Sequence, residues 1–324
     1  MKNRQMQPRQ MTVRPSINRW LCWGVCGLLL ASLGAGCSFK KMAVRQIGNA
    51  LAGGGTTFTS DNDPELVKDA LPFSLKLMES LLAESPRHEK LLFATASGFT
   101  QYAFAFVQQE ADELEDSDSA AAEAQRARAR NLYLRARDYA LRGLEIRHAG
   151  FASGLSQNPR KTVQRAKIND VPLLYWTAAA WGSAISLSKD QPELIGDQPV
   201  IEALIDRALA LNPDFDHGAI HSFLIPFEMA RAASASDGES RARQHFDQAM
   251  ALAKGRLAGP LVNLAESVSV PRQDKAEFQA LLERALAIDS DAYPDFRLAN
   301  LIMQRRAKWL LSRTDELFFE PVKP

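Results

Sequence analysis

From residue 60 onward, apolar residues recur at helical spacing and alternating strand patterns are almost absent, which limits the chain to helix-on-helix architectures. Ile201, Leu204, Ile205, Ala208 and Leu209 fall at i, i+3, i+4, i+7 and i+8, and Phe278, Leu281, Leu282, Ala285 and Leu286 repeat that spacing. Phe246, Ala249, Met250 and Ala253 give a shorter version. Start signals agree. In SDNDPELVKDAL, Asp63 is placed to cap, Pro64 takes the first helical position and Glu65 lies in the first turn. The alternative, calcium ligation by DNDPE, lacks the spaced acids and glycine of a calcium loop. The expected fold class is all-α.

Helix ends resemble one another. LLAESPRH, GLEIRHAGF, ALALNPDF, AMALAKG and ALAIDSDAYPDF each close on small and apolar residues and then break into a polar or proline-bearing turn. Their starts at 81, 143, 208, 249 and 285 are separated by 62, 65, 41 and 36 residues. Tetratricopeptide repeats run at about 34 residues and close in a similar way. The chain therefore reads as a degenerate tetratricopeptide-like array of helix pairs, each burying its apolar face against its neighbours. Polar punctuation falls at 110–130, 151–170, 188–199 and 231–240. The first holds six acids within Glu110–Asp118 and then Arg126, Arg128 and Arg130, a pattern that suits a solvated loop and helix face or an acidic docking site. No composition break divides the body, so 61–324 is expected to be one domain.

Two segments carry no charge: LLFATASGFTQYAFAFV (91–107) and VPLLYWTAAAWGSAISLS (171–188). The second has the length of a membrane span, but Pro172, Tyr175, Gly182 and three serines dilute it, and both flanks read as helical array. An interior helix is expected instead. It is either plain core or a wall presenting aromatic side chains to an apolar pocket or channel. Tyr175, Trp176 and Trp181, with Phe104 and Phe106 of the first segment, are the candidate lining residues.

Lysine and arginine total 39 against 38 acids, so no bulk positive field points to nucleic acid. The distribution is uneven. Residues 1–36 hold five basic residues and no acid, with an apolar run LCWGVCGLLLASLGAG from Leu21 to Gly36. That order reads as a signal peptide, and without it the balance is 34 basic to 38 acidic. Cys37 follows small residues in LGAGCSFKK, as in a bacterial lipobox, although Gly34 stands where leucine is usual. Lipidation of Cys37, palmitate included, would make it residue one of a tether over 37–60. The alternative is an uncleaved hydrophobic anchor. Each buried CH₂ contributes about 0.8 kcal/mol, so two or three acyl chains hold firmly. Ser38 points toward outer-membrane sorting. All three cysteines lie in or at the end of the leader, which excludes disulfides, thiolate metal sites and a cysteine nucleophile from the body.

The catalytic inventory is thin. GNALAGGGTTF lacks Walker spacing, and no G-x-S-x-G elbow occurs. His217 and His221 are four apart and could share a helix face as zinc ligands. They lack the glutamate of H-E-x-x-H and fall at a turn-to-helix junction, where surface or capping histidines are the simpler reading. No enzyme, metal or cofactor is expected.

The segments DPELVKDALPF (63–73), LYLRARDYALRGLE, LLYWTAAAWG (173–182), RALALNPDFDHGAIHSFLIPFE and RLANLIMQRRAKWLL, in this order across residues 37–315, resemble the TatT component family. These are helical lipoproteins associated with TRAP (tripartite ATP-independent periplasmic) transporters. The resemblance implies an all-α fold with cryptic tetratricopeptide-like repeats, anchored through Cys37 at the periplasmic face of a membrane. It implies oligomerisation, docking with the transporter's periplasmic substrate-binding protein, and a hydrophobic channel suited to an apolar small molecule. It supplies no catalytic residues. The expected function is that of a lipid-anchored periplasmic transport component. The alternative is a structural envelope lipoprotein that scaffolds other proteins without carrying ligand.

Overall fold

A computed structural model describes residues 46–50, 53, 57–188, 191–231 and 237–319. The leader at 1–36 and Cys37 lie outside the described residues. The described residues from 47 onward form one compact unit. Every regular element among the described residues is helical.

After a helical stretch at 46–50, the first long helix, α1 (Pro64–Glu84), starts where the sequence places its cap: Asp63 Oδ1 accepts from the backbone N–H groups of Glu65 and Leu66, both at 3.1 Å. After a turn come α2 (Glu89–Tyr102), a π-helical segment Ala103–Gln108, and α3 (Gln109–Leu114). The long α4 (Ser119–Arg147) is alanine-rich and capped by Asp118, whose side chain accepts from Ala121 N–H. Residues 151–170 are not an open loop. They fold as α5 (Phe151–Gln157), α6 (Pro159–Val163) and a 3₁₀ turn, because Phe151, Leu155 and Val163 find room in the core.

The uncharged segment becomes α7 (Val171–Ser186), a helix of 16 residues with nine of them buried. Its polar side chains turn inward on the backbone: Thr177 Oγ1 donates to Leu173 O at 2.6 Å, and Ser188 Oγ to Ala184 O at 2.6 Å. Such internal bonding lets a hydroxyl sit in a core at little cost. Among the described residues no helix is long and apolar enough to cross a membrane. The second half comprises α8 (Gln198–Leu211), α9 (Ala219–Ala230), α10 (Gly238–Leu252), α11 (Gly259–Leu264) with a π segment Ala265–Ser269, α12 (Lys275–Leu286) and α13 (Arg297–Ser312).

Packing follows a relay. α1 lies on α2, α2 on α4, α4 on α7 and α7 on α8; then α9 pairs with α10 and α11, and α12 with α13. The largest core cluster joins α4, α7 and α8 around Leu144, Leu174, Ile201 and Leu204, all buried. A second joins α9 through α13 around Phe278, Leu282 and Leu310. Each such side chain contributes about 1.5–3 kcal/mol on leaving water.

The array then closes on itself. Helix α13 touches α1, Leu298 N–H donates to Thr59 O at 3.0 Å, and Arg297 Nη1 donates to Ser60 O at 2.8 Å. The acidic block is the clasp. Asp112, Glu113 and Asp116 pair with Arg306 and Arg305 of α13 and with Arg313 just past its end, at 2.8, 2.7 and 2.8 Å. Glu110 reaches Lys68 at 3.3 Å, Glu115 pairs with Arg126, and Asp118 caps α4. All six acids of the block are thus engaged within the chain.

Candidate functional site

Closure of the relay leaves a cavity of about 620 Å³ between α2, α7, α8, α9, α11 and α13. That volume is in the range of small-molecule sites. Both π-helical segments contribute to its wall, Phe104 and Gln108 from the first, Glu266 and Ser267 from the second. A π turn inserts a residue into the helical ladder and re-aims the side chains on it, which is why such turns collect at functional sites.

Most of the wall is aromatic and aliphatic. Tyr175 and Trp176 meet edge to face with centroids 5.0 Å apart, and Tyr175 also approaches Phe215 at 5.5 Å and Phe223 at 6.5 Å. Phe223 stacks on Phe227 at 5.3 Å. Gly182 faces α9 across this wall: a Cβ at that position would stand 3.4 Å from the Phe223 ring, in ordinary contact. Burial pushes the Tyr175 phenol well above its ordinary range, so it stays neutral.

One end of the cavity is polar. Arg306 reaches Asp112 Oδ2 at 2.8 Å, pairs with Glu266, and lies over the Trp309 ring at 4.4 Å. Burial opposes the guanidinium charge, but Glu266 and Asp112 outweigh it and raise the Arg306 pKa. Asp112 is raised by its burial, only partly offset by Arg306. Beside them Gln109 is 3% exposed, and neither Oε1 nor Nε2 has a hydrogen-bond partner.

Three of the five aromatic residues singled out in the sequence share this wall: Phe104, Tyr175 and Trp176. Trp181 and Phe106 do not. Trp181 is a residue of the α4–α7–α8 core with the Arg137 guanidinium 4.8 Å over its ring, because it sits five positions on from Trp176 and so faces away. Phe106 packs against Tyr102 at 5.9 Å, two residues round the π turn from Phe104. Sequence reasoning missed the polar end, since Asp112, Glu266 and Arg306 come from segments far apart in the chain. It also missed the contribution of α9.

Among the described residues no group of three or more metal-ligating side chains occurs. His217 sits in a turn where Asp216, His217 and Gly218 are all left-handed, at φ 45°, 55° and 90°, and its ring abuts Phe296 at 5.0 Å. His221 is neither a surface nor a capping residue. It is 7% exposed and shares a hydrogen bond of 2.9 Å with His245, Nδ1 to Nδ1, joining α9 to α10.

Comparison with known proteins identifies the family. A family model described as TRAP transporter T-component matches residues 60–318. An uncharacterized protein of Treponema pallidum (strain Nichols) is 30% identical over an alignment of 324 positions that covers 94% of this chain and 99% of that protein. The matched residues take in every helix from α1 to α13, and with that match this chain belongs to the TRAP transporter T-component family.

Proposed function

We propose that the chain is a lipid-anchored, periplasm-facing component of a TRAP-type transport system, which docks on the periplasmic substrate-binding protein and passes an apolar ligand through its helical assembly. The observation that carries this reading is the cavity of about 620 Å³ walled by Tyr175, Trp176, Phe223 and Phe227. A protein acting only as a scaffold gains nothing from keeping an aromatic-walled cleft of this size open, since apolar surface left uncovered forgoes the stabilisation of burial. Anchoring belongs to Cys37 in LGAGCSFKK, with the outer membrane as the favoured site, and association of several copies would extend the conduit.

Two experiments test it. Cys37→Ser should shift the chain from the membrane fraction to the soluble fraction, and unchanged membrane retention would refute the lipid anchor. The purified chain should form a complex of defined stoichiometry with the TRAP substrate-binding protein encoded nearest its gene, followed by light scattering on a sizing column. Separate elution at tens of micromolar would sink the docking reading and leave the scaffolding one.

A further inference from the structure

The cavity's polar lining is rich in carboxamides, and all but one are committed to the protein. Gln101 Nε2 donates to Ser97 O at 3.3 Å, Gln198 Nε2 to Ala230 O at 3.2 Å, and Asn263 Nδ2 to Ser222 O at 3.1 Å. Gln108 Oε1 accepts from the Tyr133 hydroxyl at 2.6 Å. Gln109 is the exception: among the described residues it is the one amide whose buried oxygen and nitrogen both lack a partner. It is 97% buried and part of the cavity wall, directly after the π segment whose last turn closes with Gln109 N–H donating to Phe104 O. A buried polar group in this state is costly, and it persists where something outside the chain satisfies it.

We propose that the cavity holds an amphiphile with a neutral polar head that both donates and accepts a hydrogen bond, the head meeting the Gln109 amide and the apolar body lying along Phe104, Trp176 and Phe223. The inference rests on the ligand-carrying reading above and adds the chemical class. Two arguments fix the head. An amide presents one acceptor and one donor side by side, so an ammonium satisfies only Oε1 and a carboxylate satisfies only Nε2. A hydroxyl or a carboxamide satisfies both. Charge points the same way: Arg306 is already engaged by two carboxylates, Asp112 and Glu266, so an incoming anion finds no free cation at this end. Gln109 is therefore a specificity-determining residue, and the aromatic wall supplies affinity without discriminating between heads.

The test titrates the full chain calorimetrically with four probes that share one ten-carbon body: 1-decanol, decanamide, decanoate and decylammonium. The alcohol and the amide should bind at least tenfold more tightly than the two ions, a difference of about 1.4 kcal/mol. In Gln109→Leu that preference should vanish while binding of the body remains, and Gln109→Met should behave alike if the leucine variant fails to fold. A thermal melt accompanies both, and neither should be less stable than the parent, because each removes an orphaned amide. Equal affinities for all four heads in the parent, or a preference that survives in both variants, would overturn head recognition while leaving ligand carriage intact. Failure of every probe to bind the parent would overturn both readings together.

Discussion

Replacement of Arg306 by methionine probes the closure of the array at the most buried arginine of its clasp. Met keeps an apolar stem over Trp309 but removes the charge that holds Asp112 and Glu266 together. The Arg306 side chain is 12% exposed, Asp112 21% and Glu266 35%. Breaking a fully buried pair costs about 3–5 kcal/mol. Water can reach Glu266 and part of Asp112, so the cost here is placed at about 2–3 kcal/mol. For a domain of this size that corresponds to a fall of about 5–10 °C in melting temperature. The neighbouring Arg305 is 46% exposed, and its pairs with Glu113 and Glu65 are worth less than about 1 kcal/mol, so Arg305→Met should fall by about 3 °C at most. The deficit of Arg306→Met should also depend on pH. Asp112 already has a raised pKa from burial, and loss of the guanidinium raises it further. An acid whose folded pKa exceeds its unfolded value binds its proton first in the folded state, so stability is recovered as pH falls through the folded value. The assay is thermal unfolding of the parent and both variants at pH 7.5 and pH 5. Equal losses for the two arginines, or a deficit that grows on acidification, would refute the clasp.

Three further outcomes follow from the same packing. Trp181→Ala should destabilise the chain by about 3–5 kcal/mol, as expected for an emptied core position, whereas Trp176→Ala should cost about 1 kcal/mol and act on ligand retention; equal melting shifts would remove the distinction. Gly218→Ala should cost about 1–3 kcal/mol in chemical unfolding, because φ is 90° there and a Cβ would stand 3.1 Å from Ala249 Cα; an unchanged midpoint would contradict the strained turn. Burial lowers the pKa of His221, against the raising effect of Asp214, and of His245, where the charges on His221, Arg231 and Arg241 add to it and Glu228 opposes it. Both residues therefore bind protons more readily in the unfolded chain, and their contribution is complete above about pH 6.5 and lost as pH falls toward the lowered values. Melting temperature should drop from pH 7.5 to pH 5.5, less so in His245→Gln, and an identical drop in that variant would clear the pair of responsibility.

Much of the fold was legible because it is written at short range. Asp63 and Pro64 start α1 as their residue types require, and Ile201, Leu204, Ile205 and Ala208 are all buried on the face their spacing defines. Half of the cavity was legible for a related reason: an uncharged helix must be interior, and aromatic residues on it must face something. Which aromatic faces what was not legible. Trp176 and Trp181 are alike in sequence terms, and only the packing of α7 between α4 and α8 separates wall from core. The π turns at 103–108 and 265–269 leave no periodic signal either, yet one places Phe104 on the wall with Phe106 in the core. The acidic block looked like solvated surface because its partners, Arg305, Arg306 and Arg313, lie about 190 residues further on. Long-range pairing of this kind has no local trace.

The proposed function requires the half-open cavity within the helical relay to hold an apolar ligand. Its most direct test is native mass spectrometry of the full chain extracted from its own envelope, beside Gly182→Phe, which would place a ring next to Phe223 inside the cavity. The parent should carry about one organic-soluble small molecule per chain, released on denaturation, and the variant should be bare while melting near the parent temperature. A bare parent, or an adduct retained undiminished in Gly182→Phe, would contradict the account.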